Sequence, residues 1–92
     1  MPDAGSVVYS RRDDVLWRRS LDSVVLLPVG ADEPVSLPGT GAAVWDLLAE
    51  PATLPELVDA LADVYGGDPS TIARDVAELL ERLRGMTAID AA

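Results

Sequence analysis

The spacing of apolar residues changes along the chain, from alternation in the first part to helical periodicity in the second. Residues 15–18 alternate between two faces, and residues 24–29 form an apolar, β-branched run. Both patterns are typical of strands. A third, short strand is predicted at 35–37, with Val35 and Leu37 facing inward.

The connections between these strands are short. Residues 20–23 suit a hairpin turn. Because Pro28 cannot donate a hydrogen bond to a sheet, either the second strand ends near Leu27 or Pro28 lies at a bulge. The first dozen residues show no periodicity, so residues 1–14 are predicted to be a flexible N-terminus, ahead of one domain at 15–89.

Three amphipathic helices are predicted after residue 39. Thr40 is the expected N-cap of the first, which should end at Glu50-Pro51 because proline restricts the residue before it. Trp45 should lie beside the apolar stripe of this helix. That stripe consists of Val44, Leu47 and Leu48.

The other two helices carry clear start and stop signals. Thr53 and Glu56 have the spacing of a capping box, and Gly66-Gly67 suits a left-handed helix end. Asp68-Pro69 then caps the third helix, which should close at Gly85. Glu78 and Arg82 are four residues apart, a spacing that favours an ion pair worth ~0.3–0.5 kcal/mol.

Strands followed by three helices in so short a chain predict an α+β fold, the winged helix-turn-helix. It should consist of a three-stranded antiparallel sheet followed by three helices. Helices two and three, joined by the Gly-Gly turn, would form the helix-turn-helix unit.

The charge of the chain argues against nucleic acid as the partner. Sixteen acidic residues against seven basic ones give a net charge of −9. The third helix mixes three arginines with three acidic residues on its outer part, and DNA affinity requires neutralisation of phosphates. We therefore expect no nucleic-acid binding.

The composition also excludes most catalytic chemistry. The 92 residues include no cysteine, histidine or lysine, so nucleophile–base pairs, Schiff bases and thiolate or imidazole metal sites are absent. The carboxylate pairs Asp13-Asp14 and Asp32-Glu33 are expected to be solvated turns. We predict no enzymatic activity, no metal and no cofactor. No apolar run approaches a membrane span and no signal peptide is apparent, so a cytoplasmic protein without membrane contact is expected.

Three motifs resemble the pyrroloquinoline quinone biosynthesis protein D (PqqD) family. They are L-x-x-T-x-A-x-V-W-x-L-L at 37–48, T-x-x-E-L-V-x-x-L-x-x-x-Y at 53–65 and I-x-x-D-V-x-x-L-L-x-x-L at 72–83. The similarity extends over about residues 15–89. The sequence departs from the family at Pro38, where asparagine is frequent, and at Glu50-Pro51, where a turn resembling Asp-Gly is usual.

This resemblance implies a RiPP recognition element, where RiPP means a ribosomally synthesised and post-translationally modified peptide. Such domains are non-catalytic chaperones that bind the leader of a precursor peptide as an added strand. They present the peptide to a modifying enzyme or leader protease, in lasso-peptide maturation, radical-based crosslinking or cofactor biogenesis. The resemblance leaves these pathways open.

The peptide-binding residues implied by this resemblance lie on the third strand and the third helix. The strand would pair with the leader, the helix would line a groove, and Asp75 and Arg82 would contact leader charges. The alternative for the apolar helix residues is core packing, for Asp75 simple solvation, and for Arg82 only the pair with Glu78. The predicted set is Val35, Ser36, Leu37, Ile72, Asp75, Val76, Leu79 and Arg82.

Two further classes of function stay open at this point. One is an acidic winged-helix regulator or an adaptor that acts through protein contacts, and the other is a small subunit that stabilises a larger enzyme. The pattern does not indicate which backbone groups of the third strand face outward.

Overall fold

The computed structural model describes residues 7–92. In this part of the chain there are six strands and three helices: β1 (Val8–Arg11), β2 (Leu16–Ser20), β3 (Ser23–Leu27), β4 (Val35–Pro38), α1 (Thr40–Leu47), β5 (Ala52–Thr53), α2 (Leu54–Tyr65), α3 (Pro69–Gly85) and β6 (Ile89–Ala91). The predicted fold class is confirmed, because the antiparallel sheet β2-β3-β4 is followed by three helices.

The sheet β2-β3-β4 has one buried and one open face. Val24 and Leu26 of β3 and Leu37 of β4 are buried, and α1 packs against both of these strands. The predicted hairpin is present, with Ser20 paired to Ser23 across a two-residue loop. β3 ends at Leu27, so Pro28 follows the strand and does not form a bulge within it.

The helix boundaries predicted for α2 and α3 are confirmed. The Thr53 side chain accepts a hydrogen bond from the Glu56 N–H, and Glu56 accepts one from the Thr53 N–H. Gly66 and Gly67 have φ values of 73° and 98°, and Asp68 accepts a hydrogen bond from the Ser70 N–H. Local sequence therefore determines where these helices start and end.

The start, the end and the packing face of α1 differ from the prediction, since the helix ends at Leu47 and not at Glu50-Pro51. Gly39, with φ 56°, is the N-cap, and Thr40 is the first helical residue. Trp45 is fully buried whereas Leu47 is 37% exposed, so Trp45 replaces Leu47 in the apolar stripe. A helix of eight residues has little more than two turns, and small rotations decide which of two adjacent apolar side chains is buried.

A second sheet corrects the prediction of a flexible N-terminus at 1–14. β1 is its central strand, between β5 and β6. Val8 and Ala92 exchange two backbone hydrogen bonds, of 2.8 and 2.9 Å, and the Arg12 N–H donates to Ala88. Residues 1–6 of the predicted flexible segment lie outside the described residues. The domain also extends beyond its predicted end at residue 89, because β6 continues to Ala91.

Arg11 connects β1 to the core. Its guanidinium donates from Nε to the Trp45 carbonyl at 2.9 Å and lies 4.8 Å from the ring centroids of both Trp17 and Trp45. The two indoles contact each other edge to face, with centroids 5.9 Å apart. Hydrogen bond and cation–π contacts together attach the second sheet to α1.

The predicted ion pair between Glu78 and Arg82 is not formed within residues 7–92. On α3 the charged contacts are instead Arg84 with Glu81 at 3.2 Å and Arg74 with Asp75 at 3.8 Å. Exposed ion pairs contribute little free energy to stability. The side-chain entropy lost on pairing therefore readily decides which of several possible pairs forms. None of the helices in the described part of the chain is long and apolar enough to cross a membrane.

Candidate functional site

β4 has one neighbouring strand, β3, and its other edge has no strand partner among residues 7–92. The hairpin determines which backbone groups face this edge. A two-residue loop is closed by a pair that exchanges both hydrogen bonds, so Ser20 and Ser23 form such a pair. Bonded and non-bonded pairs alternate along antiparallel strands. In β3, therefore, Val24 and Leu26 direct their N–H and C=O groups toward β4.

Ser36 is consequently the β4 residue that faces outward. Val35 is paired with Leu26 and Leu37 with Val24, so both use their backbone groups internally. Ser36 lies opposite Val25 in a non-bonded pair and directs its N–H and C=O toward the free edge. Pro38 has the same parity and has no N–H to donate. Ser36 thus supplies the edge with its N–H donor.

A cleft of about 260 Å³ lies between this edge and α3. Leu37 and Val76 are buried, and Leu79 is half-buried. The close approach of α1 to β4 forms the end of the cleft, where a methyl group on Gly41 would be 3.3 Å from the Leu37 Cβ. The lining residues are Ser36, Leu37, Pro38, Thr40, Gly41, Asp75, Val76, Leu79 and Arg82.

A smaller cavity of about 100 Å³ adjoins the cleft at the N-terminal half of α3. It shares Thr40, Asp75 and Val76 with the cleft. The further lining residues come from α2, the Gly-Gly turn and α3; they are Leu61, Tyr65, Gly66 and Ile72. The two spaces form one concave surface along α3.

Charge in the cleft is concentrated at two positions on α3. Asp75 and Arg82 are seven residues apart, which is about 10 Å along a helix axis. Asp75 is exposed and lies 3.8 Å from Arg74, whereas Arg82 forms no ion pair within residues 7–92. The cleft therefore presents an acidic group and a basic group on either side of an apolar floor.

The structure brings together most of the site residues predicted from the sequence. Six of them line the cleft, Ile72 lines the adjoining cavity, and Val35 lies in β4 with its backbone directed to β3. Val76 is also part of the hydrophobic core, as the alternative interpretation expected.

The lining residues Pro38, Thr40 and Gly41 were not predicted. Pro38 ends β4, whereas Thr40 and Gly41 begin α1, where the sequence pattern predicts a cap at Thr40. Gly39 is the residue from which the earlier helix start could have been predicted. A glycine that can adopt positive φ directly before a threonine can serve as the N-cap itself.

The comparisons with known proteins agree with this geometry. Residues 23–86 match the family described as "Coenzyme PQQ synthesis protein D (PqqD)". A solved structure, "TbiB1 in Complex with the TbiA(beta) Leader Peptide", superimposes with a TM-score of 0.80 at 30% identity, covering 88% of this chain and 94% of that one. A search of curated proteins gave no match.

The family match spans the sheet β3–β4, all three helices and every residue of the cleft. The structural match extends to nearly the full length of both chains. On these grounds the chain belongs to the PqqD family.

Proposed function

We propose that this protein binds the leader segment of a ribosomally synthesised precursor peptide and presents it to a modifying enzyme or leader protease. The leader adds to β4 as a fourth strand, and its side chains on one face enter the cleft along α3. The protein itself performs no chemistry on the peptide. The enzyme it serves belongs to lasso-peptide, radical-based or cofactor biosynthesis.

The observation that carries this proposal is the outward-facing backbone of Ser36 beside an apolar cleft. An unpaired strand edge is a template for another strand, and backbone pairing supplies affinity without demanding a particular sequence. Pockets next to the edge then select side chains.

The polarity of the cleft supports a peptide as its occupant. A guest strand at β4 places alternate side chains toward α3, where Val76 and Leu79 offer apolar contact. Asp75 and Arg82 would pair with a basic and an acidic side chain of the leader. The similar TbiB1 was solved with a leader peptide, which supports the same class of ligand for this chain.

A titration tests the proposal directly. The probe is the N-terminal leader of the precursor peptide encoded beside this protein, labelled and followed by fluorescence anisotropy. We expect saturable binding with one leader per domain, and no binding of a scrambled peptide of the same composition. Equal binding of the leader and the scrambled peptide would contradict the proposal.

The neighbouring genes provide the second test. A precursor peptide together with a protease, cyclase or radical enzyme is expected, and that enzyme should act faster on the precursor in the presence of this protein. An unchanged rate of modification would argue against presentation to the enzyme.

A further inference from the structure

We propose that the outer face of the sheet β2-β3-β4 docks the enzyme that acts on the bound precursor, and that the guest strand completes this docking face. The inference rests on the proposed function. It assigns the open side of the sheet, opposite α1, a role in bringing the enzyme to the peptide.

The geometry of the sheet joins the two sites. Arg18 pairs with Val25, and Val25 pairs with Ser36, so these three residues form one row across the outer face. A guest strand at β4 would add the fourth member of this row, because the guest residue beside Ser36 points to the same face. The two neighbours of that guest residue point into the cleft instead.

The outer face of β2 and β3 is apolar next to this row. Leu16, 69% exposed, lies opposite Leu27, and Val25 is half-buried beside them. These side chains border a shallow groove of about 270 Å³ that extends from Arg18 to Pro34, directly before β4. Contiguous exposed apolar residues with a polar rim are typical of protein interaction sites.

Charge indicates the chemistry of the partner. Five of the seven arginines form an ion pair with a carboxylate or donate to the Trp45 carbonyl, but Arg18 and Arg82 have no such contact within residues 7–92. Arg82 borders the cleft, and Arg18 borders the outer groove. In a chain with acidic residues in excess, an arginine left without a carboxylate suits a partner that supplies one. The docking enzyme should therefore present an apolar patch next to an Asp or Glu.

A second copy of this chain fits the face less well. In a two-fold symmetric dimer the same patch occurs on both sides of the contact. With the two-fold axis along this row, Arg18 of each copy would face Arg18 of the other, and like charges in an interface are unfavourable. An enzyme with a complementary carboxylate avoids this repulsion.

Substitutions on the outer face separate enzyme docking from leader binding. The variants are Leu16→Glu and Arg18→Glu, with Val64→Glu as the control because Val64 is 74% exposed on α2, outside this groove. Leader affinity is measured by anisotropy, and affinity for the purified modifying enzyme or protease by biolayer interferometry, with and without leader. Melting temperatures and sedimentation confirm that the variants are folded and report self-association.

We expect both outer-face variants to bind leader like wild type and to lose at least tenfold in affinity for the enzyme, while Val64→Glu keeps both affinities. Leader should strengthen enzyme binding of the wild type. If both outer-face variants bind the enzyme with the affinity of the wild-type protein, this face is not the docking site. Wild-type self-association that Leu16→Glu abolishes would assign the face to a second copy. Failure of the wild type to bind any leader would overturn the proposed function itself.

Discussion

Asp75 and Arg82 determine the polarity of the cleft, because the other α3 side chains that reach it, Val76 and Leu79, are apolar. Asp75 is 62% exposed, so its carboxylate is accessible to a basic group of a ligand. A charge at the rim of an interface acts mainly on selectivity and association rate.

Reversing the charge at Asp75 should weaken leader binding and leave the fold intact. Asp75→Arg replaces attraction for a basic leader residue by repulsion, whereas an exposed helix position tolerates the change within ~0.5 kcal/mol of stability. Anisotropy and thermal unfolding measure the two effects. Glu78→Arg is the matched control, since Glu78 is exposed on the same helix and does not line the cleft. Equal leader affinity in the two variants would show that Asp75 is only solvated.

Arg11 has a structural role that Arg18 does not share. It donates to the buried Trp45 carbonyl and lies between two indole rings, whereas Arg18 lies on the open sheet face. Arg11→Ala should lower the free energy of unfolding by about 1–3 kcal/mol, because it leaves a carbonyl acceptor without its donor. Arg18→Ala should change it by no more than ~0.5 kcal/mol. Urea unfolding, followed by tryptophan fluorescence, compares the free energies of unfolding of the two variants. Equal values for Arg11→Ala and Arg18→Ala would refute this role of Arg11.

At the scale of elements, sequence predicted what local signals determine. The capping box at Thr53, the Gly66-Gly67 turn and the Asp68 cap each depend on residues within one turn of each other. β1 was missed for the opposite reason. Its pairing partners lie about 40 and 80 residues further along the chain, and its own four residues have no apolar alternation.

The site was predictable in its location but not in its detail. Apolar spacing and the family resemblance placed it on β4 and α3. The parity of β4 required the register of two strand pairs, and that register depends on the two-residue loop between Ser20 and Ser23. Pro38 at the end of β4 and Thr40 and Gly41 at the start of α1 also line the cleft, and this helix begins one residue earlier than predicted.

The capping box of α2 makes part of the domain's stability depend on pH. Hydrogen bonds from the Thr53 backbone N–H and side chain lower the pKa of Glu56 below its usual value of 4.5. A carboxyl group with a lowered folded-state pKa stabilises the fold above its unfolded pKa, and this stability is lost as pH falls through the folded pKa. Glu56→Ala should therefore melt below the wild type at pH 7, and the difference should shrink on acidification below about pH 4.

A control separates titration from loss of the hydrogen bond. Glu56→Gln keeps an acceptor at the same position and does not titrate, so its melting temperature relative to Glu56→Ala should stay constant with pH. A wild-type advantage over Glu56→Ala that is equally large at pH 3 and pH 7 would contradict the role of the Glu56 carboxylate.

At the scale of the whole molecule, net charge separates two uses of a winged helix-turn-helix. Phosphate neutralisation drives DNA binding, and a net charge of −9 opposes it. We expect any duplex affinity at physiological salt to be weaker than the ~10⁻⁴–10⁻⁶ M of non-specific binding. Submicromolar binding that weakens with added salt, measured by anisotropy, would instead support a transcriptional regulator.

The central claim is that a leader strand pairs with the outward backbone of Ser36. Proline substitution tests it, because proline removes one N–H and keeps an extended conformation. At Val35 the lost N–H pairs with Leu26 inside the sheet, whereas at Ser36 it faces the guest. Val35→Pro is therefore the matched control for Ser36→Pro, one residue away in the same strand.

Melting temperature and leader affinity should be measured for both variants. We expect Ser36→Pro to melt like wild type and to lose ~0.5–1.5 kcal/mol or more of binding free energy. Val35→Pro should melt lower by roughly 4–8 °C for each kcal/mol of stability lost. If Ser36→Pro binds the leader with wild-type affinity, or if the two variants melt and bind alike, strand addition at β4 is not how this protein holds its ligand.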